Sequence, residues 1–255
     1  MSTALAAAIA GVFGAVIGSF LNVVIWRLPR GESVVSPPSA CPSCGAPVKP
    51  YDNVPVVSWL LLRGRCRSCG QAISARYPLV EALTAVLMAL VPVFLGADDD
   101  VWIGFALVLI LVPLTFIDLD HRILPNKITY PAVPLAIVLV AVFELDALPD
   151  HLIAGAAAFG LLFAAAWFYP DGMGVGDVKL AGVLGLFLGR SVAPALLAAF
   201  LLGTLVGLGV MAAKGIREGR KTAIPFGPFL AVGGLVGLFV GDEIVDWYLE
   251  TFTAE

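Results

Sequence analysis

Gly172-Met173-Gly174-Val175-Gly176-Asp177-Val178-Lys179 lies between two strongly apolar segments, residues 151–169 and 180–189. Three glycines alternate with other residues and then deliver a carboxylate. Glycine permits tight bends and close backbone approach, so the stretch is expected to thread irregularly at the edge of a membrane and aim Asp177 inward. An ionisable group in such a place is costly and marks a functional site by default. Comparable apolar runs fall at 4–26, 78–96, 101–117, 130–145, 151–169, 179–189, 192–213 and 225–241. A helix that spans a bilayer needs about 20 such residues. The expected fold is therefore an all-α polytopic membrane protein of about eight transmembrane helices. The run at 179–189 is short and grows backwards only by taking in the glycine-rich stretch. Short or glycine-broken spans occur where protein or a cavity surrounds them.

Composition agrees. The chain is 60% hydrophobic and 13% charged, where a soluble domain is about half apolar and a quarter charged. The partner this implies is the lipid bilayer, and no nucleic-acid partner is expected. The net charge of −4 conceals strong segregation. With eight spans and the N-terminus outside, the cytoplasmic segments are 27–77, 118–129, 170–178 and 214–224. These segments and their flanks hold every Lys and Arg of the 15 except Arg190. The external side carries Asp98-Asp99-Asp100, then Glu144, Asp146 and Asp150, and the tail from Asp242 to Glu255. This is the positive-inside pattern. It puts both termini outside and both carboxylate stretches at the cytoplasmic face of the membrane. No cleavable signal peptide is evident: the run 4–26 is long enough to span, and its basic residues, Arg27 and Arg30, follow it.

The cytoplasmic segment 27–77 is the one sizeable loop. It contains Cys41-Pro42-Ser43-Cys44-Gly45 and Cys66-Arg67-Ser68-Cys69-Gly70, which account for all 4 cysteines. Each C-x-x-C knuckle places two thiolates on one metal, and the following glycine turns the backbone back. A tetrahedral four-thiolate zinc site through Cys41, Cys44, Cys66 and Cys69 is the natural reading. Two disulfides are the alternative, which a reducing cytoplasm disfavours. The zinc is read mainly as structural, because so small a loop lacks a core of its own. The apolar stretch Val54 to Leu62, with Trp59, either packs on the metal core or lies at the membrane surface. The domain reading is thus a first transmembrane helix at 1–26, a zinc-binding loop at 27–77 and a seven-helix core at 78–255.

A second carboxylate stretch, Phe116-Ile117-Asp118-Leu119-Asp120-His121, ends the run 101–117. Two carboxylates sharing a proton can hydrolyse a peptide bond without metal or histidine: one activates water, and the other donates a proton to the carbonyl oxygen. Other chemistries find little support. No glycine-rich phosphate loop carries its lysine, no serine elbow is present, and His121 and His151 fall on opposite sides of the membrane. Bland readings stand beside the functional one: Asp118 and Asp120 pairing with Arg122, and Asp177 pairing with Lys179 or capping the next helix. Asp120 is read as interfacial. Glu81 either forms a salt bridge, snorkels to the interface, or joins the site. Small-residue spacings such as Gly203-x-x-x-Gly207 are read as helix-packing surfaces.

Gly174-Val175-Gly176-Asp177 resembles the G-x-G-D box of intramembrane aspartyl proteases. The wider set resembles the bacterial type IV prepilin peptidases, also called leader peptidases. It comprises Gly18-Ser19-Phe20-Leu21-Asn22-Val23-Val24, Arg27-Leu28-Pro29, both cysteine knuckles, Arg76-Tyr77-Pro78-Leu79-Val80-Glu81, Ile117-Asp118-Leu119-Asp120-His121, the 172–180 stretch and Ile224-Pro225-Phe226-Gly227-Pro228. The likeness runs from residue 18 to 228 in order. It implies Asp118 and Asp177 as the catalytic pair, with Gly174, Gly176 and Lys179 as supporting motif. It also implies type IV prepilins or pseudopilins as substrates, and N-methylation of the new N-terminus from S-adenosylmethionine. No donor-binding box is recognisable. Asn126 departs from relatives that have aspartate after Leu-Pro. The alternative from another class is a non-enzymatic transporter or secretion-assembly scaffold with a zinc docking loop, which should carry carboxylates near mid-membrane in repeated halves.

Overall fold

The structure is a computed structural model that describes residues 2–96, 100–169, 172–215 and 224–253. The acidic loop residues 98 and 99 and most of the basic loop, 216–223, lie outside the described residues. Helices are α1 (Thr3–Arg27), α2 (Val57–Leu61), α3 (Arg76–Phe94), α4 (Val101–His121), α5 (Asn126–Phe143), α6 (Leu148–Phe168), α7 (Val175–Leu188), α8 (Val192–Lys214) and α9 (Gly227–Thr253). Among the described residues there is no strand, only two isolated bridges in the cysteine loop. Seven segments are long and apolar enough to cross a membrane. The eight expected apolar runs are present as α1 and α3 to α9; the segments number seven because α7 and α8, two helices joined through a 3-10 turn at Gly189–Ser191, run on as one 40-residue stretch. The chain is a multi-pass membrane protein of two compact units, Met1–Val101 and Trp102–Glu255.

In the first unit α1 packs along α3. The approach is close because Gly14 and Gly18 face α3: a Cβ at Gly14 would lie 2.8 Å from the Cβ of Met88, and one at Gly18 2.9 Å from the Cα of Glu81. Lipid offers no hydrophobic drive between helices, so small residues that let backbones touch supply the packing. Asn22, buried on α1, donates to the Tyr77 carbonyl at 3.1 Å and ties the start of α3 to the end of α1.

In the second unit α7 is buried on nearly every side, against α5, α6 and α9. Leu107, Leu111 and Leu114 of α4 join Leu162 of α6, Leu180 and Leu184 of α7 and Leu230 of α9 in one apolar cluster. α6 meets α7 at Gly155 and Gly185, where a Cβ at Gly185 would lie 2.6 Å from the Gly155 Cα. α8 meets α9 at Gly233, Gly237 and Gly241, which face Ala195, Ala199 and Ser191. The Gly203–Gly207 spacing is a packing surface at one end only: Gly203 faces the rings of Phe226 and of Phe229 on α9, and Gly207 has nothing within 4 Å.

One expectation is corrected. The glycine-rich stretch is not irregular as far as Asp177. Gly174 is extended (φ −74°, ψ 143°) and caps α7, which begins at Val175, so Asp177 stands in the first helical turn. Its carboxylate accepts the Gly174 N–H at 3.2 Å. That bond satisfies one of the donors a helix N-terminus leaves unpaired, and it lets the helix start despite the glycines.

Candidate active site and metal centre

α4 carries Asp118 one turn from its end, and α7 carries Asp177 one turn from its start. They are 5% and 9% exposed, low values for carboxylates, which are seldom buried unless partnered. Both are held by backbone amides. Asp118 Oδ2 accepts the Gly227 N–H at 3.0 Å, from the first residue of α9. A Cβ on Gly227 would fall 2.6 Å from that oxygen, so only glycine lets the backbone come so near. Asp118 and Asp177 line one cleft of about 280 Å³, together with Arg122, Ile123, Leu124, Asn126, Gly174, Val175, Gly176 and Lys179.

The neighbouring residues take distinct parts. Gly176 admits Leu124, whose Cβ would be 3.0 Å from a Cβ placed there. Lys179 does not pair with Asp177. It reaches α5, donating to Asn126 Oδ1 at 2.9 Å and to the Tyr130 hydroxyl at 3.1 Å, and lies over the Tyr130 ring at 4.8 Å. Asp120 is exposed. His151 is remote in role: its Nδ1 lies 3.0 Å from the Leu186 carbonyl and its Nε2 3.4 Å from Glu144, bracing α6 against the end of α7. Sequence reading gave Gly227 no role, although it lay within a quoted motif. Its partner is 109 positions away, and no spacing rule links them.

The four cysteine sulfurs lie within 4.8 Å of one another, with Cys41 and Cys69 at 3.9 Å. A tetrahedral ion with metal–sulfur bonds of about 2.3 Å needs sulfurs about 3.8 Å apart, so the donor set fits a metal ion. The knuckles are built alike. Cys41 N–H bonds the Ala46 carbonyl and Gly45 N–H the Cys41 carbonyl; Cys66 and Gly70 repeat both bonds, with Gln71 in the place of Ala46. Gly45 and Gly70 share φ of +70°. The Cys44 and Ser43 N–H groups lower the Cys41 thiol to about 6. At Cys69 the Gln71 N–H favours the thiolate, but burial and the neighbouring sulfurs outweigh it and push the thiol up to about 11. Arg67 binds Asp52 through two nitrogens, at 2.6 and 2.9 Å, and holds its carboxyl below the usual range.

In the Val54–Leu62 stretch one aromatic side chain is packed within the loop and two leucines are not. Trp59 packs on Gly64 and donates to the Ile73 carbonyl at 3.1 Å, whereas Leu60 and Leu61 are exposed. Glu81, buried on α3, accepts the Val56 N–H at 2.7 Å. Val56 has φ of +60°, a strained value for a branched residue. Glu81 thus anchors the loop to the membrane helix of its own unit through a main-chain N–H.

Comparison with known proteins bears directly on this arrangement. Residues 12–95 match the bacterial peptidase A24 N-terminal domain, and residues 105–208 match the type IV leader peptidase family. A protein named prepilin leader peptidase/N-methyltransferase in Aeromonas hydrophila is 38% identical, over 94% of this chain and 93% of its own length. The chain belongs to the type IV leader peptidase family. Members with the same name in Dichelobacter nodosus (37% identical, 92% of this chain, 91% of the relative) and Neisseria gonorrhoeae (36%, 94% of each) agree. No solved structure matches. As a leader peptidase family member the chain is a protease, and both family models run in the order in which the two units follow one another.

Proposed function

We propose that this chain cuts the basic leader from type IV prepilins or pseudopilins with Asp118 and Asp177, and then methylates the new N-terminus. The observation that carries the reading is that two buried, amide-held carboxylates from separate helices line a single cleft. Two such groups side by side cannot both ionise easily, so they share one proton. The ionised one takes a proton from water as its oxygen attacks the scissile carbonyl carbon. The protonated one donates to the carbonyl oxygen, giving a tetrahedral gem-diol. Collapse breaks the C–N bond as a proton passes to the leaving nitrogen, and the pair returns to one shared proton. Gly227 and Gly174 N–H groups fix the two carboxylates, and Lys179, held by Asn126 and Tyr130, fixes the wall of the cleft. The relatives' names count against a transporter or scaffold. The test is cleavage of a prepilin in membranes containing the full chain, scored beside protein level.

S-adenosylmethionine is the methyl donor that the family resemblance supplies, and it brings an electrophilic methyl group for the new amine. Zinc is the ion we assign to Cys41, Cys44, Cys66 and Cys69, with a structural role in the loop at 27–77. Purified full chain is expected to hold about one zinc, as a tetrathiolate site does, and a Cys41→Ser, Cys66→Ser variant none. Elemental analysis of protein prepared without chelator checks this, and metal-free wild type would exclude it. Cleavage should partly survive metal loss, since the aspartates lie on other elements.

Charge segregation supports an orientation with both termini outside the inner membrane and the active site at its cytoplasmic face. Prepilin leaders are basic and stay on that same side, so the bond after the leader glycine arrives beside the cleft. Reporter fusions check the orientation: one at 98–100 should read external and one at 214–224 cytoplasmic. A cytoplasmic 98–100 would overturn this route of substrate access.

A further inference from the structure

A second cleft, about 420 Å³, lies wholly within the first unit, between the C-terminal half of α1 and the loop around residues 34–39. Its α1 wall is Val16, Phe20, Val23 and Arg27, successive positions on one helical face. Val35 and Pro38 of the loop lie opposite. Arg27 is the sole charged residue lining it among the described residues. Its guanidinium gives one N–H to the Ser33 carbonyl at 3.0 Å, and of the five such donors an arginine has, others remain for a ligand. Ser19, Ser39 and Asn53 add uncharged polar groups.

The dimensions identify the occupant. From Val16 to Arg27 the helix rises about 16 Å, close to half of a ~30 Å hydrocarbon core. The α1 wall of the cleft is therefore about one leaflet long, mainly apolar from Val16 to Val23 and cationic at Arg27. Exposed Trp26, stacked with Arg30 at 3.8 Å, marks the outer end as headgroup level, where tryptophan collects. α1 is a membrane span, so the ligand that meets this wall comes from the bilayer. We propose that the cleft binds one anionic phospholipid of the leaflet on the cysteine-loop side, with its phosphate on Arg27 and an acyl chain along Val16, Phe20 and Val23. Basic pockets at the ends of membrane helices commonly take such headgroups.

The test uses purified full chain in nanodiscs of phosphatidylglycerol or phosphatidylcholine, transferred to detergent, with retained lipid counted by native mass spectrometry. Phosphatidylglycerol should be retained in preference. Arg27→Gln should lower its occupancy about fivefold, the equivalent of ~1 kcal/mol for one basic group near an anionic surface. Arg30→Gln, whose residue does not line the cleft, should leave occupancy unchanged. Val23→Trp, which fills the acyl track without touching the charge, should reduce retention of both lipids. Equal retention of the two lipids, or an Arg30→Gln loss equal to that of Arg27→Gln, would overturn the proposal. So would loss of S-adenosylmethionine binding in Arg27→Gln with lipid retention intact, since the cleft would then be the methyl donor's.

Discussion

Asp118→Asn and Asp177→Asn are each expected to remove prepilin cleavage while leaving the protein folded. An amide oxygen still accepts from Gly227 N–H in the first variant and from Gly174 N–H in the second, so the cap on α7 and the start of α9 survive. What is lost is the ability to take up and return a proton, which contributes on the order of 10²–10⁴-fold. The double variant should be scarcely worse than either single one, because groups acting as a unit are not additive. Asp118→Glu should also fail, since a shift of about 1 Å in a positioned site costs roughly 100-fold. Asp120→Asn changes an exposed residue and should be mild; that contrast separates catalysis from lost surface charge. Well-expressed Asp177→Asn that still cuts near the wild-type rate would end the dyad assignment. Methylation of a pre-cleaved substrate, measured in the same membranes, is expected to persist in both variants, and that persistence would assign the two activities to separate sites.

Gly227→Ala is the second large effect. The added carbon would sit 2.6 Å from Asp118 Oδ2 and 3.2 Å from the Leu124 Cδ2, so the carboxylate or α9 must move. Displacement of about 1 Å predicts a loss near 100-fold in cleavage, with the thermal midpoint little changed. Gly207→Ala, where nothing lies within 4 Å, is the matched control and should cleave normally. Normal cleavage by Gly227→Ala would show that this amide does not position Asp118.

Much of the architecture could be read directly. Long apolar runs have one stable form in lipid, and paired C-x-x-C spacing constrains four sulfurs to one volume. The missed features depend on partners far along the chain or on choices between equivalent patterns. Gly203-x-x-x-Gly207 and Gly233-x-x-x-Gly237-x-x-x-Gly241 look alike as small-residue stripes, yet the second meets backbone along its whole length, whereas in the first Gly203 meets only aromatic rings and Gly207 meets nothing within 4 Å. At Asp177 the glycines argued for irregular backbone, while the carboxylate three positions after Gly174 is also what an N-terminal cap needs; the cap prevailed. Glu81 was ambiguous because its partner is a main-chain N–H of a strained loop residue, and main-chain geometry leaves no mark in composition.

The shortness of α7 has a consequence for supply of the second reactant. At its far end Arg190 pairs with Asp242 and Asp246 on α9, three exposed charges that place this turn at the water boundary. Its 14 residues rise about 21 Å, which leaves the Asp177 end about 9 Å short of the opposite face of a ~30 Å hydrocarbon layer. A water-soluble thiol reagent should accordingly reach Val175→Cys, at a position 67% exposed, and not Leu180→Cys, at one 0% exposed. If Asp177 lies at the proposed cytoplasmic end of this span, the helix stops about two turns before the membrane does, and that gap would admit the water that hydrolysis consumes.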